Sequence, residues 1–260
     1  MGMMSLLRHV TTFTCVIAIV AAVALVRGQQ VATFPAGMTW QNIAWCPSGH
    51  HSACQNIDLV LPWQQAVDVD LFDTPTTIIS ALISAGHTVI CYFSAGSYED
   101  WRPDASKFPK DVLRHRMDSW PGEWWLDIFN ASHRAVIESI MFSRMQLGVQ
   151  KGCQAFEADN VDCYSNGNCL LNLDNATGYA DQLNYNKWLA NTAHELGAAM
   201  GLKNDLGQVG DLVDIFDFHI DEQQCQQYDR NAKRCCLFSM QTRRYFKSSI
   251  TARLSASVPI

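Results

Sequence analysis

Short apolar runs alternate with longer stretches of helical spacing along most of the chain. The runs read as eight strands: Thr39–Ala44, Val67–Phe72, Thr88–Ser94, Glu123–Ile128, Gln154–Asp159, Ala198–Asn204, Ile215–Asp221 and Cys235–Met240. Their compact apolar blocks, bounded by polar and turn-forming residues, suit buried strands. Between several of them the period changes to that of a helix. Thr74-Pro75 predicts a helix start, Ile78, Ile79, Leu82 and Ile83 form its stripe, and Gly86 closes it. Residues 133–147 carry Val136, Ile137, Ile140, Met141 and Met145 at helical spacing. Residues 184–196 place Tyr185, Trp188, Leu189, Thr192, Ala193 and Leu196 on one face, with Gly197 as the stop. Strands alternating with helices imply a parallel sheet covered by helices. Eight of them at this length predict one α/β domain, a single (β/α)8 TIM-type barrel. An open doubly wound sheet is the competing architecture, but no glycine-rich fingerprint follows the first strand. Residues 241–260 are polar and weakly patterned, so the eighth strand is the least well defined.

The N-terminal stretch departs from this alternation. Arg8 and His9 lead into Val10–Val26, apolar apart from Thr11, Thr12 and Thr14, and Arg27-Gly28-Gln29-Gln30 ends the run. That is the form of a secretory signal over 1–28, leaving a barrel domain over 29–260. A membrane anchor is the competing reading, although a full span takes about 20 apolar residues. Leu6 stands where myristoylation needs Ser or Thr. A secreted, extracellular protein is therefore expected, with no membrane association after cleavage.

This reading changes how charge and cysteine are weighed. The 260 residues are 48% hydrophobic and 17% charged, enough apolar material for a substantial core. Formal charge is −6, and loss of Arg8 and Arg27 with the signal takes it to −8. An acidic chain is a poor partner for nucleic acid and a better one for a cationic ligand. Of ten cysteines, Cys15 leaves with the signal. Close spacing suggests bridges of Cys46 with Cys54, Cys163 with Cys169, and Cys225 with Cys235 or Cys236, in an oxidising compartment. Cys91, inside Val89-Ile90-Cys91-Tyr92-Phe93, reads as a buried free thiol. Asn130-Ala131-Ser132 and Asn175-Ala176-Thr177 fit the glycosylation pattern.

Candidate chemistry lies where the apolar runs stop. In Ala155-Phe156-Glu157-Ala158-Asp159-Asn160-Val161-Asp162, Glu157 and Asp159 are two apart and share a face if the run is a strand. Crowded carboxylates are costly unless they bind something or share a proton. The other predicted strand ends supply Asp70 and Asp73, Ser94 to Glu99, Asp127, Lys203 and Asn204, and Asp221 and Glu222. In a barrel these ends form one functional rim.

Five ordered blocks then carry a resemblance. They are Cys91-Tyr92-Phe93-Ser94-Ala95-Gly96-Ser97-Tyr98-Glu99-Asp100-Trp101-Arg102-Pro103-Asp104, Trp120-Pro121-Gly122-Glu123, Glu157-Ala158-Asp159-Asn160-Val161-Asp162, Gly201-Leu202-Lys203-Asn204-Asp205 and Glu222-Gln223. Between about Thr39 and Tyr228 the chain resembles glycoside hydrolase family 114, the endo-α-1,4-polygalactosaminidases. The resemblance implies a (β/α)8 barrel that hydrolyses α-1,4-linked galactosamine polymers with two carboxyl groups. It maps those groups to Asp159 and Glu222. Asp221 where the family commonly has Asn, Cys153-Gln154 where it has Phe-Asp, and the segment around Cys235–Met240 depart from the family pattern.

Glycosidic cleavage needs a carboxylate beside the anomeric carbon and a carboxylic acid beside the leaving oxygen. Asp159 fits the first role. Glu222, after the apolar run Ile215–Ile220, fits the second, because partial burial raises an acid's pKa. The resemblance favours retention, which expects carboxyls about 5–5.5 Å apart. Asp70, Tyr92, Ser94, Glu99, Asp127, Glu157, Asp162, Lys203 and Asn204 are the candidate substrate-binding residues. Glu157 has two open roles, orienting Lys203 or pairing as a buried acid. Tyr92, Tyr98, Trp101, Trp124 and Tyr164 could stack on sugar rings, with core packing the competing account. The expected partner is a cationic amino-sugar polysaccharide, bound by a monomer. No cofactor and no metal are expected: His50-His51, or His219 with Glu222, matches no standard ligand spacing. Competing functions are a non-catalytic sugar-binding barrel and a Schiff-base lyase at Lys203.

Overall fold

The computed structural model of the protein describes residues 31–35, 37–43, 60–118, 120–169, 175–221 and 239–242. The elements run β1 (Trp40–Asn42), β2 (Ala66–Asp70), α1 (Thr76–Ser84), β3 (Thr88–Ser94), β4 (Ser97–Glu99), β5 (Leu113–Arg116), β6 (Glu123–Leu126), α2 (Ala131–Lys151), β7 (Ala155–Asp159), α3 (Asn175–Glu195), β8 (Ala199–Lys203), α4 (Val209–Leu212), β9 (Phe218–Asp221) and β10 (Ser239–Thr242). The main sheet has the order β1-β2-β3-β7-β8-β9-β10. Its first six strands are parallel, and β10 joins β9 antiparallel. This is an α/β fold of the (β/α)8 type.

The two faces of the sheet do different work. Side chains alternate along a strand, so Val67, Val69, Val89, Phe93, Phe156, Ala158, Met200 and Leu202 point outward to the helices. They pack with Ile79 and Leu82 of α1, Ile137, Met141 and Met145 of α2, and Leu189 and Ala193 of α3. The inner face brings Trp40, Ala66, Ile90, Ala155, Ala199, Phe218 and Ile220 into one cluster with Phe34. All six parallel strands contribute to it, so the sheet curls around a common interior. Gly201 makes room there: a Cβ would lie 2.2 Å from the Phe218 ring.

Four expectations change. Glu123–Ile128 is not a strand of the barrel. Its residues 123–126 form β6, the centre of a separate antiparallel sheet of order β4-β6-β5, and β3 pairs directly with β7. The cause lies just after β3. Ala95 and Gly96 donate their N–H groups to the Asp159 carbonyl at 2.9 and 3.1 Å, which turns the chain out of the sheet at once. Cys91 is not a free thiol. It faces outward and forms a disulfide with Cys153, 62 residues away. Closing a loop of that length stabilises the fold by about 4 kcal/mol in the chain-entropy picture. Residues 215–217 precede β9, the sixth parallel strand of the main sheet, which begins at Phe218. The last strand is Ser239–Thr242 and runs antiparallel. The Cys163–Cys169 bridge is present. Cys46, Cys54, Cys225, Cys235 and Cys236 lie outside the described residues.

Helix boundaries follow their caps. Pro75 holds the extended position before α1. α2 begins two residues earlier than its apolar stripe, because the Asn130 side chain accepts from the N–H groups of Ser132 and His133 at 2.9 and 3.4 Å.

Candidate active site

The inward residues above the apolar floor form two levels. Asp68, Glu157 and Lys203 make the lower one. Asp68 and Glu157 are fully buried and Lys203 is 3% exposed. Lys203 Nζ donates to Glu157 Oε1. Burial works against the Glu157 charge, but the Lys203 ammonium and a hydrogen bond from Asp68 outweigh it and hold its pKa down. Burial and the neighbouring Glu157 charge push Asp68 well up. The arrangement is thus an ammonium, a carboxylate and a protonated carboxylic acid, neutral in sum. Neutralised charge is the form in which ionisable groups persist inside a protein.

Asp70 and Asp159 lie one inward position further along β2 and β7 and form the upper level with Tyr92 of β3. The Tyr92 hydroxyl donates to Asp159 Oδ2 at 3.0 Å. Burial, then the Asp159 charge, raises the phenol's pKa well above its ordinary value, so Tyr92 keeps its proton and stays a donor. Asp70 accepts from the N–H groups of Phe72 and Asp73 at 2.8 and 2.9 Å and from Arg102.

The antiparallel sheet walls this level. Glu99 of β4 stands opposite Glu123 of β6, a like-charge cross-strand pair that is unfavourable on its own. Arg102 answers one of the two: its Nε is 2.8 Å from Glu99 and its Nη1 2.8 Å from Asp70. Burial works against the Arg102 charge, yet Glu99 and Asp70 outweigh it and raise its pKa further. Glu123 receives neutral donors instead, the Ser97 hydroxyl and the Asn160 amide at 3.2 Å. Burial lifts its pKa to about 7, with the charges of Glu99 and Asp159 adding to the lift. Asn160 follows Asp159 and adopts φ +62 to turn its amide into this network. Gly96 lets that turn pass: a Cβ there would sit 1.7 Å from the Asn160 carbonyl oxygen.

The outer helices hold these loops through buried polar groups. Arg144 of α2 donates to the Ser94 carbonyl at 2.7 Å and grips Asp104 at 2.8 and 3.0 Å. From α3, the Tyr185 hydroxyl reaches the Ala95 carbonyl at 2.7 Å, and Asn186 donates to the Val161 carbonyl and to Asp205, both at 2.9 Å.

The candidate residues divide as follows. Asp70, Tyr92, Ser94, Glu99 and Asp159 gather at one end of the barrel. Ser94 Oγ accepts from the Asn160 amide at 2.9 Å and bonds Ser97. Glu157 and Lys203 lie beneath them. Asp162 and Asn204 sit on adjoining loops, Asp162 accepting from Asn166 at 3.0 Å and the Asn204 carbonyl contacting His219 at 2.7 Å. Asp127 is not brought to the cluster. It follows β6 of the antiparallel sheet rather than a barrel strand, and pairs with Arg114 at 3.2 Å and His133 at 2.8 Å. Glu222 lies outside the described residues. Glu123, Arg102 and Asn160 are members that strand-end reasoning missed. Only their place in ordered sequence blocks pointed to them.

An anionic rim with a carboxylate held at the C-terminal end of a parallel barrel strand suits displacement at a sugar carbon. Among the described residues, no group of three or more His, Cys, Asp or Glu is placed to hold a metal ion.

These features define a (β/α)8 glycosidase-type barrel. Residues 21–253 match the model of glycoside-hydrolase family GH114. The chain belongs to that family and is a glycoside hydrolase. It is 36% identical to Aspergillus fumigatus Ega3, solved in complex with galactosamine, over 76% of this chain and 73% of that one, with a TM-score of 0.61. The glycoside hydrolase domain of PelA from Pseudomonas aeruginosa shares its fold, at 14% identity over 85% of this chain and 81% of that one and a TM-score of 0.53. A comparison with curated protein sequences finds no match.

Proposed function

We propose that the protein is a secreted, endo-acting hydrolase of α-1,4-linked galactosamine-containing polysaccharide. Asp159 acts as the nucleophile and Glu222 as the acid/base, with retention of configuration. The observation that carries this reading is Asp159 itself, held by Tyr92 at the barrel rim within a wall of carboxyl groups. An acidic rim favours polymers bearing ammonium groups, and the 36% identical Ega3 was solved with galactosamine. Asp70, Tyr92, Ser94 and Glu99 contact substrate in this scheme. Asp162 and Asn204 shape the flanking loops, and Glu157 and Lys203 support Asp159 from below. Secretion is supported by the signal-like sequence over 1–28 and by the two disulfides among the described residues. Among those residues no helix is long and apolar enough to cross a membrane.

The test is incubation of purified protein with partly deacetylated galactosaminogalactan and with its fully acetylated form. The expected result is oligosaccharide release from the first, weakening as salt screens the charges, and none from Asp159→Asn or Glu222→Gln. Binding without release of fragments by the wild type would leave the sugar-binding alternative standing.

A further inference from the structure

We propose that Glu123 is the residue that receives the ammonium group of the amino sugar, and so sets the preference for a free amine over a neutral substituent. The inference rests on the hydrolase reading above and names a recognition residue within that site.

Glu123 is 5% exposed and stands directly across from Glu99 in the β4–β6 ladder. Two carboxylates in that relation repel, and a sheet keeps such a pair only with compensation. Arg102 compensates Glu99 and Asp70, leaving Glu123 without a cation among the described residues. Its Oε1 is fixed by Ser97 and Asn160, and no described residue donates to Oε2. The groups that face it are Ser97 and Glu99 from β4, Arg102 from the following loop, Tyr92 from β3, and Asp159 and Asn160 from β7. Three of these are acids or a phenol, so the surroundings favour an incoming positive charge.

The position also matters. Asn160, which directly follows Asp159, donates to Glu123, so a cation at Glu123 lies beside the reacting centre and not on a distant surface. A carboxylate with fixed neutral donors on one oxygen makes a charge-assisted hydrogen bond with an ammonium group, whereas the N–H of an acetamide offers it only a neutral one and a hydroxyl brings no charge. Without that cation the carboxyl holds a proton up to about pH 7. Binding the ammonium therefore releases a proton from Glu123 into solution, while the sugar nitrogen keeps its own.

The test is calorimetric titration of the full chain at pH 6 with galactosamine and with galactose, in two buffers of different ionisation enthalpy. Wild type should favour galactosamine by about tenfold or more, with release of close to one proton on galactosamine and none on galactose. In Glu123→Gln the preference and the proton release should both disappear while galactose binding persists. Wild type that lacks the preference or the proton release would overturn the inference even if the variant cannot be purified. So would a folded variant that keeps both. Polymer cleavage scored in parallel separates the two readings. Cleavage with an unchanged variant preference ends the role of Glu123 alone, whereas preference without cleavage ends the hydrolase reading.

Discussion

Two levels of the barrel interior hold similar residues and treat charge in opposite ways. Glu157 and Asp159 are two apart on β7 and point to the same face, yet their surroundings differ. At the lower level Asp68, Glu157 and Lys203 balance: one ammonium, one carboxylate, one proton kept on the remaining acid. At the upper level, among the described residues, Asp70 and Glu99 pair with the Arg102 guanidinium, while Asp159 and Glu123 take only neutral donors. The difference shows how a fold marks its working end. Where burial is complete, charge is cancelled within the protein. Where the barrel opens, the described acids outnumber the cations they touch, held in place by β4, β6 and the outer helices, and in the proposed scheme a cationic ligand supplies the balance.

The sharpest way to break the comparison is to exchange like for like at the two levels. Asp159→Asn should lower kcat by about a thousandfold or more while the melting temperature stays close to that of wild type. Glu157→Gln should do the reverse. It leaves the Lys203 ammonium buried without its counter-charge, and breaking a buried pair in this way costs about 3–5 kcal/mol. Its activity per folded molecule should stay within about tenfold of wild type, since the upper level is untouched. Denaturant unfolding and steady-state kinetics on both variants decide the matter. A stable but inactive Glu157→Gln would move Glu157 into the reaction.

The contrast also explains what could be read in advance. The parallel strands and their helices were legible because burial on both faces produces continuous apolar runs bounded by polar strand ends. Asp159, Asp70 and Glu157 were found by asking what lies at those ends. The rule failed where the chain leaves the sheet. Glu123-Trp124-Trp125-Leu126 has the composition of a barrel strand, but it pairs antiparallel with Ser97–Glu99. The residue it brings to the rim is therefore its first, Glu123, and Asp127 beyond its other end belongs to a separate ion pair with Arg114. Strand direction follows from pairing partners distant in sequence, which local pattern does not encode. The same distance hid the Cys91–Cys153 bridge. Arg144, Tyr185 and Asn186 were invisible as loop anchors because helical periodicity reports a buried face and not the hydrogen bonds its polar atoms find.

A smaller effect tests the link from Tyr92 to the rim. Its hydroxyl donates to Asp159 at 3.0 Å, and hydrogen bonds to charged groups contribute about 1.5–3 kcal/mol. Tyr92→Phe should therefore cost roughly tenfold in kcat/KM, or somewhat more, with a small change in stability. If the loss falls equally on galactosamine binding, the hydroxyl positions substrate as well as Asp159. If kcat/KM is unchanged, the hydroxyl does not orient Asp159 for the reaction.

The mildest prediction concerns the proton on Asp68. Its folded-state pKa lies well above its ordinary value, so above about pH 4, near the unfolded pKa, the folded chain holds a proton that the unfolded chain has released. Stability then falls as pH rises, by at most about 1.4 kcal/mol per pH unit for one proton, until the folded pKa is passed. Glu157 has the opposite sign. Its folded pKa is held down, so its contribution is present above its unfolded value and is lost as pH falls. Asp68→Asn keeps a donor facing Glu157 and removes the titration. The variant should match wild type near pH 4 and lose less stability between pH 5 and pH 8, as urea unfolding at the two pH values would measure. Part of the slope should persist, because Glu99, Glu123 and Asp205 are also raised by burial, Asp205 to about 8. An unchanged slope would mean that Asp68 is ionised in the folded protein. The lower level would then carry net negative charge as the rim does, and the distinction between the two levels would fail.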